Sequence, residues 1–255
     1  MADQRQVQVH LLPDLVPAGG LRGATAVAID ALRSTTTMIT ALVAGCTDIR
    51  PCGTVEEARE LAGGLRAGRA ILGGEKHNLR IEGFDLGNSP LEYTAEACQG
   101  KTLVITTSNG VHAVLRAVEA ERVLVAGFVN FSAVCEELRQ DPRPIHILCA
   151  GTDGAVTLED TLLAGALVDY LCAEFDARLN DSARLAQDGF KQQGPRLLAA
   201  LEMSDGARGL LALGHGPDIR FAAGVDRFDL VPELRWDPLR VEVGASGRAE
   251  SSTGA

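Results

Sequence analysis

The residues with the clearest chemical purpose lie at the end of one apolar run. Ala24 to Ile29 is followed by Asp30, then by Arg33 and four hydroxyls, Ser34-Thr35-Thr36-Thr37. A carboxylate at such a point can hold a hard cation, and an arginine can grip a phosphate through two parallel N–H bonds. The free amides and the dipole of a helix starting there favour an anion. These residue types at this spacing suit a phosphate and a metal side by side.

The pattern recurs. Apolar runs end in or near Glu75, Asp153 and Asp226, and Asp85, Glu159 and Asp160 stand in adjoining segments. Carboxylates converging at strand ends are the ligands Mg²⁺ takes, usually one or two together with waters and substrate oxygens. Complementary anion donors stand in Thr106-Thr107-Ser108-Asn109-Gly110 and Thr152-Asp153-Gly154. Taken singly, each acid or hydroxyl is equally a helix cap or a solvated loop residue. Only their convergence would make a site.

Three familiar phosphate chemistries fit poorly. Gly100-Lys101-Thr102 echoes the end of a P-loop, but position 95 is Ala where the first glycine belongs, and the tripeptide precedes a strand. Asp30 resembles an aspartyl nucleophile, yet Leu32 stands where a second acid would protonate a leaving group. Cys149 ends a strand as a phosphatase cysteine would, but Ala150 to Ala155 offers no arginine, which favours a buried thiol.

The elements that must position these groups read as alternating strands and helices. Val7–Leu12 is a first strand, and 24–29 is a buried strand followed by a helix over 38–44, with Ser34 to Thr37 as caps and Gly45 as its stop. Asp48–Cys52 is a strand, and Thr54 with Glu57 has capping-box spacing ahead of a helix to Leu65. Ala70–Glu75 is a strand. Lys76 to Tyr93, punctuated by Gly, Asn, Ser and Pro, is a functional loop. Strand and helix pairs follow at 102–120, 123–139 and 145–175. Helical segments span 179–201, broken near Gly194-Pro195, and 203–213; 219–226 is a further apolar run, and Leu230-Val231-Pro232 closes the fold. The pattern predicts a three-layer α/β fold, a largely parallel or mixed sheet with helices on both faces and binding at the carboxyl ends of its strands. Residues 1–243 read as one compact domain, with two pseudo-similar α/β halves as a variant, and 244–255 as a small, polar, disordered tail.

Composition narrows the partners. The 24 basic and 34 acidic residues give a net charge of −10 and a pI near 5.0, which argues against nucleic acid. A bound divalent cation with local donors still permits an anionic small substrate. The N-terminus has no leader pattern and no stretch approaches 18 apolar residues, so a cytoplasmic protein with no membrane contact is expected. Six cysteines without a C-x-x-C should be reduced and mostly buried, and five scattered histidines give no zinc spacing. A homodimer is the base-rate expectation.

Five ordered blocks carry a resemblance. They are Asp30-Ala31-Leu32-Arg33-Ser34-Thr35-Thr36, the stretch Gly83-Phe84-Asp85-Leu86-Gly87-Asn88-Ser89-Pro90-Leu91-Glu92-Tyr93, Thr106-Thr107-Ser108-Asn109-Gly110, Cys149-Ala150-Gly151 with Leu158-Glu159-Asp160, and Asp226-Arg227-Phe228-Asp229-Leu230-Val231-Pro232. Together they resemble the 2-phosphosulfolactate phosphatase family over roughly residues 24 to 235. Ser108 replaces a threonine of that pattern, and Glu75-Lys76 stands where Glu-Arg is common, so Lys76 keeps the charge without the bidentate fork. The resemblance implies Mg²⁺-dependent hydrolysis of 2-phospho-3-sulfolactate to 3-sulfolactate and phosphate, a step of coenzyme M biosynthesis.

Energetics favour a metal as well. Phosphomonoester hydrolysis can need up to ~10²¹-fold acceleration, about 28 kcal/mol, whereas positioning offers ~7–11 and a helix end ~0.3–2 kcal/mol. We therefore expect Asp30, Glu75 and Asp85 to hold Mg²⁺, and Glu159 or Asp160 to orient the attacking water. Arg33, Ser34, Thr35, Lys76, Asn88, Ser89, Thr106, Thr107, Asn109 and Gly110 are the expected substrate contacts. The competing readings are a non-catalytic binder of a phosphorylated metabolite and a metal-independent phosphatase using Cys149.

Overall fold

The apolar runs fold as strands and the segments between them mostly as helices. In chain order these are β1 (Arg5–His10), β2 (Thr25–Ile29), α1 (Ser34–Val43), β3 (Asp48–Pro51), α2 (Val55–Gly64), β4 (Ala70–Lys76), β5 (Leu79–Arg80), α3 (Ala95–Cys98), β6 (Thr102–Thr106) and α4 (Gly110–Arg116). There follow β7 (Arg122–Ala126), α5 (Phe131–Gln140), β8 (Ile145–Cys149), α6 (Leu158–Glu174), β9 (Ala177–Leu179), α7 (Asp181–Gln193), α8 (Leu197–Glu202), α9 (Asp205–Ala212), α10 (Gly216–Ala222), β10 (Pro232–Trp236) and β11 (Leu239–Val243). The structure is a computed structural model that describes residues 4–244. The expected disorder of 244–255 falls, apart from Gly244, outside those residues.

One mixed sheet runs β5-β4-β6-β3-β11-β10-β7-β2-β8-β1-β9. Strands β7, β2, β8, β1 and β9 are mutually parallel, as are β3, β6 and β4. The antiparallel hairpin β10–β11 joins these two blocks, and each of its strands meets the flanking block at one residue pair, Glu233 opposite Leu124 and Val241 opposite Ile49.

Side-chain alternation along the strands separates the layers. Val27, Ile29, Leu124, Ala126, Ile145 and Ile147 pack under residues of α5 to α10. Ala26, Ala28, Val123, Val125, Leu103 and Ile105 point the other way, onto α1 and α4. Val104 faces α2 through Ala58. This is the expected three-layer α/β arrangement. Helix α4 touches β2 and β3, and α1 touches β3 and β7, so both helices span the two parallel blocks. That crossing brings the end of β2 beside the end of β6, where the polar turns lie.

Several elements differ from expectation. Ser34 to Thr37 belong to α1 itself, and its N-cap, Arg33, makes no side-chain capping bond. The hydroxyls reach back to a buried loop instead: Thr35 Oγ1 donates to the Asp30 carbonyl (2.9 Å) and Thr36 Oγ1 to that of Ala31 (3.0 Å). They satisfy backbone acceptors that burial has removed from water. Thr54 accepts from the Glu57 amide as expected, while the Glu57 carboxylate reaches the Gly53 amide and not the cap's own. The apolar run at 219–226 is helix α10 and a turn, because Gly216-Pro217 starts a helix upstream of it. Within Lys76–Tyr93, β4 and β5 form a hairpin whose two-residue turn, His77-Asn78, has positive φ at both positions (53° and 64°).

Candidate active site

A cleft of ≈ 240 Å³ opens where these turns meet. Asp30, Leu32, Arg33 and Ser34 line it from the β2–α1 junction, Glu75, His77 and Asn78 from the β4–β5 hairpin, and Asn88 from the following loop. Ser108 and Asn109 enter from the β6–α4 turn, Thr152 and Asp153 from the loop after β8, and Asp205, Gly206 and Gly209 from α9.

Its floor is acidic. Asp30 is 6% exposed, and burial pushes its carboxyl up to about 7; hydrogen bonds from Ser34 oppose that shift, and repulsion from Glu159 and Glu75 adds to it. Asp160 accepts the amides of Ala31 (2.8 Å) and Gly151 (2.9 Å), fixing both strand-end loops. Burial first, then Asp30 and Glu159, hold it well above the usual carboxylate range. Glu159 is raised mainly by burial, and its Oε2 is buried without a hydrogen-bond partner. It lies against Gly206 of the cleft wall, where an added Cβ would meet Glu159 Oε1. Glu75 is tied down at both oxygens, Oε1 by the Ser108 amide (2.8 Å) and Oε2 by the Asn78 amide (2.7 Å).

Anion donors face this floor. The N-cap residues of α1, α4 and α6 make no side-chain capping bond, although Thr107 Oγ1 accepts the Val111 amide in the first turn of α4 (3.1 Å). The starts of α1 and α4 are pressed together, since a Cβ on Gly110 would collide with Ser34 and with Asp30 Oδ2. Two positive helix ends therefore meet at the Asp30 carboxylate. Asn88 Nδ2 donates to Ser34 Oγ (3.3 Å), which donates to Thr107 Oγ1 (3.1 Å), and Asn88 Oδ1 is buried without a partner. Arg33 is the only guanidinium or ammonium lining the cleft among the described residues. Its Nη1 donates to Asp218 Oδ2 at 2.7 Å.

Repelling carboxylates, an orphaned carboxylate oxygen and convergent helix ends are what a cation and a phosphate would jointly satisfy. A family model supplies the independent evidence: that of 2-phosphosulpholactate phosphatase matches residues 10–237. The chain belongs to the 2-phosphosulpholactate phosphatase family. Membership makes it an enzyme, a phosphoric monoester hydrolase. It is 37% identical over 215 residues to a probable 2-phosphosulfolactate phosphatase of Caldanaerobacter subterraneus subsp. tengcongensis, covering 84% of this chain and 89% of the relative. A protein of the same name from Thermotoga petrophila is 39% identical over 220 residues, 86% of this chain and 93% of its own. One from Clostridium tetani is 32% identical over 229 residues, 90% and 97% respectively.

The fold brings together only part of the set expected from the sequence. Asp30, Arg33, Ser34, Glu75, Asn88 and Asn109 line the phosphatase-family cleft, Gly110 abuts it, and Glu159 and Asp160 lie beneath. Asp85 does not join them: it is exposed, and its Oδ2 accepts the Leu72 amide (2.8 Å), fastening the loop to β4. Thr35 is fully buried below the cleft and spent on the Asp30 backbone. Lys76, Thr106 and Thr107 line a neighbouring depression of ≈ 350 Å³ that shares only Glu75 and Ser108 with the cleft. Ser89 is buried, its hydroxyl donating to Asp218 Oδ1. Asp153 reaches the cleft, whereas Asp226 accepts from the Ser132 amide and hydroxyl at the start of α5.

Residues missed in the sequence include His77, Asn78, Gly206 and Asp218. For Asp218 a signal existed, since Gly-Pro-Asp is a helix start with an acid in its first turn. The six cysteines are free thiols, and five are buried, as expected. Burial, with Asp160 and Glu159 adding to it, holds the Cys149 thiol well above its ordinary range, which disfavours its use as a nucleophile. No helix among the described residues is long and apolar enough to cross a membrane.

Proposed function

We propose that this enzyme hydrolyses 2-phospho-3-sulfolactate, or a closely related phosphorylated and sulfonated hydroxy acid, to the free hydroxy acid and phosphate with Mg²⁺. The observation that carries the reading is the meeting of two helix N-termini at Asp30, above carboxylates that repel one another. No group of three or more His, Cys, Asp or Glu side chains with metal-binding spacing occurs among the described residues. The donor set nonetheless suits Mg²⁺, which is satisfied by one or two carboxylates with waters and phosphate oxygens. Asp30 would hold it, with Glu75 at the rim and Asp85 outside the set. The ion would polarise the phosphoryl oxygens and offset charge on the leaving oxygen.

The chain's own groups supply the rest. The amides still unengaged at the starts of α1 and α4 and the free N–H groups of Arg33 bind phosphoryl oxygens, and Asn109 stands at the turn between them. Glu159, with one oxygen unengaged and an affinity for protons raised by burial, takes a proton from the attacking water. Asp160, with both oxygens committed to backbone amides, holds the two loops in register. A cytoplasmic location, a homodimer and a place in coenzyme M biosynthesis belong to the same reading.

Phosphate release from a panel of phosphorylated hydroxy acids, with and without a sulfonate, tests it. Release from the sulfonated compound with Mg²⁺, abolished by EDTA, is expected. Binding without release would leave a metabolite-binding protein, and EDTA-resistant release would remove the metal.

A further inference from the structure

Asp218 belongs to none of the sequence blocks that carry the resemblance and does not line the cleft itself, yet it is paired with the cleft residue Arg33 and has 2% of its side chain exposed. Both its oxygens are engaged by groups from distant parts of the chain. Oδ2 accepts from Arg33 Nη1 and Oδ1 from the Ser89 hydroxyl, each at 2.7 Å, and His215 Nδ1 lies 3.5 Å from Oδ2. One carboxylate on α10 thus ties the loop after β2 to the loop before the 3-10 turn at Pro90–Glu92, against which α10 packs.

Arg33 makes no other side-chain hydrogen bond among the described residues, although it lines the cleft and is 3% exposed. A long side chain held by one ion pair in a fixed slot can offer its remaining N–H groups in one orientation. We propose that Asp218 is a positioning residue: it aims the Arg33 guanidinium at the phosphoryl group, with Ser89 bracing the carboxylate. The activity arm of this proposal rests on the phosphatase reading; the binding arm does not.

Two substitutions separate aim from charge and from mere structure. Asp218→Asn keeps the size, one oxygen that accepts from Arg33, and an N–H that can donate to Ser89. Asp218→Ala removes both contacts. Calorimetric titration of the full chain with inorganic phosphate in the presence of Mg²⁺ is the binding readout, and thermal melts report folding. Asp218→Asn should bind phosphate within about threefold of wild type or more tightly, because the aim survives and a negative charge is lost. Asp218→Ala should bind at least about tenfold more weakly, and in turnover its KM should rise by more than its kcat falls.

Wild-type affinity in both variants, or equal weakening in both with a shared loss of melting temperature, would make the contact purely structural and overturn the proposal. Absence of phosphate binding by the wild-type protein would overturn it too. A wild-type chain that binds phosphate but releases none from the substrate panel would instead refute the phosphatase reading, and the contrast between the two variants would still decide the role of Asp218.

Discussion

Asp30→Asn should stabilise the metal-free protein while ending turnover. Folding buries Asp30 and raises its carboxyl to about 7. The folded state thus keeps a proton that the unfolded chain releases near pH 4, so stability falls as pH rises from about 4 to 7, and the full penalty stands above 7. About three pH decades at ~1.36 kcal/mol each put that penalty near 4 kcal/mol at pH 8. The Ser34 bonds to the carboxylate are already contained in that shift. The variant should gain about 4 kcal/mol at pH 8 and only about 1 kcal/mol at pH 5, since only about one decade of the window is crossed there. In a chain of this size the gain at pH 8 is a rise in Tm of about 8–16 °C. Thermal melts in EDTA at both pH values measure it, and Mg²⁺ should then raise the Tm of the wild type but not of the variant. A variant destabilised equally at both pH values would refute the charge-repulsion account of this floor.

The remaining predictions concern neighbours of Asp30. Gly110→Ala places a Cβ against Ser34 and Asp30 Oδ2, so kcat/KM should drop about 10²-fold or more through separation of the two helix starts; near-normal kinetics would show that the starts need not touch. Asp85→Ala should cost about 1 kcal/mol of stability by freeing the Leu72 amide, with turnover and its Mg²⁺ dependence within a few-fold of wild type; loss of metal dependence would return Asp85 to the ligand set. Cys149→Ala should keep turnover within about twofold while costing about 1 kcal/mol for the small cavity, and a dead, well-folded variant would revive the thiol mechanism.

What was legible in the sequence was what is local. Asp30 at a strand end, and the Ser108-Asn109 turn before a helix, announce themselves because an apolar run breaks abruptly into polar residues. The three layers followed from the alternation of strands with helices along the chain. Partnership across the fold was not legible. Asp85 sits in the most distinctive block and still spends its carboxylate on the Leu72 amide, a use that only the pairing of that loop with β4 reveals. Lys76 lies one step past Glu75, and Thr106 and Thr107 lie just before Ser108, on the far side of the Glu75–Ser108 contact from the cleft. The β10–β11 hairpin, with Asp237-Pro238 between its strands, begins at the Pro232 expected to close the fold, yet it sits mid-sheet between β3 and β7, a non-local pairing no short window reports. Asp218 was hidden for a different reason, because the apolar run beginning at Ile219 drew attention away from the Gly-Pro helix start before it.

The most direct test of the account is phosphate release from 2-phospho-3-sulfolactate by the wild-type enzyme and by Asp30→Asn, each assayed with Mg²⁺ and with EDTA. The account predicts release only from the wild type with Mg²⁺, and none above background from the variant although it melts as high or higher. Turnover by a folded Asp30→Asn protein near the wild-type rate would contradict it.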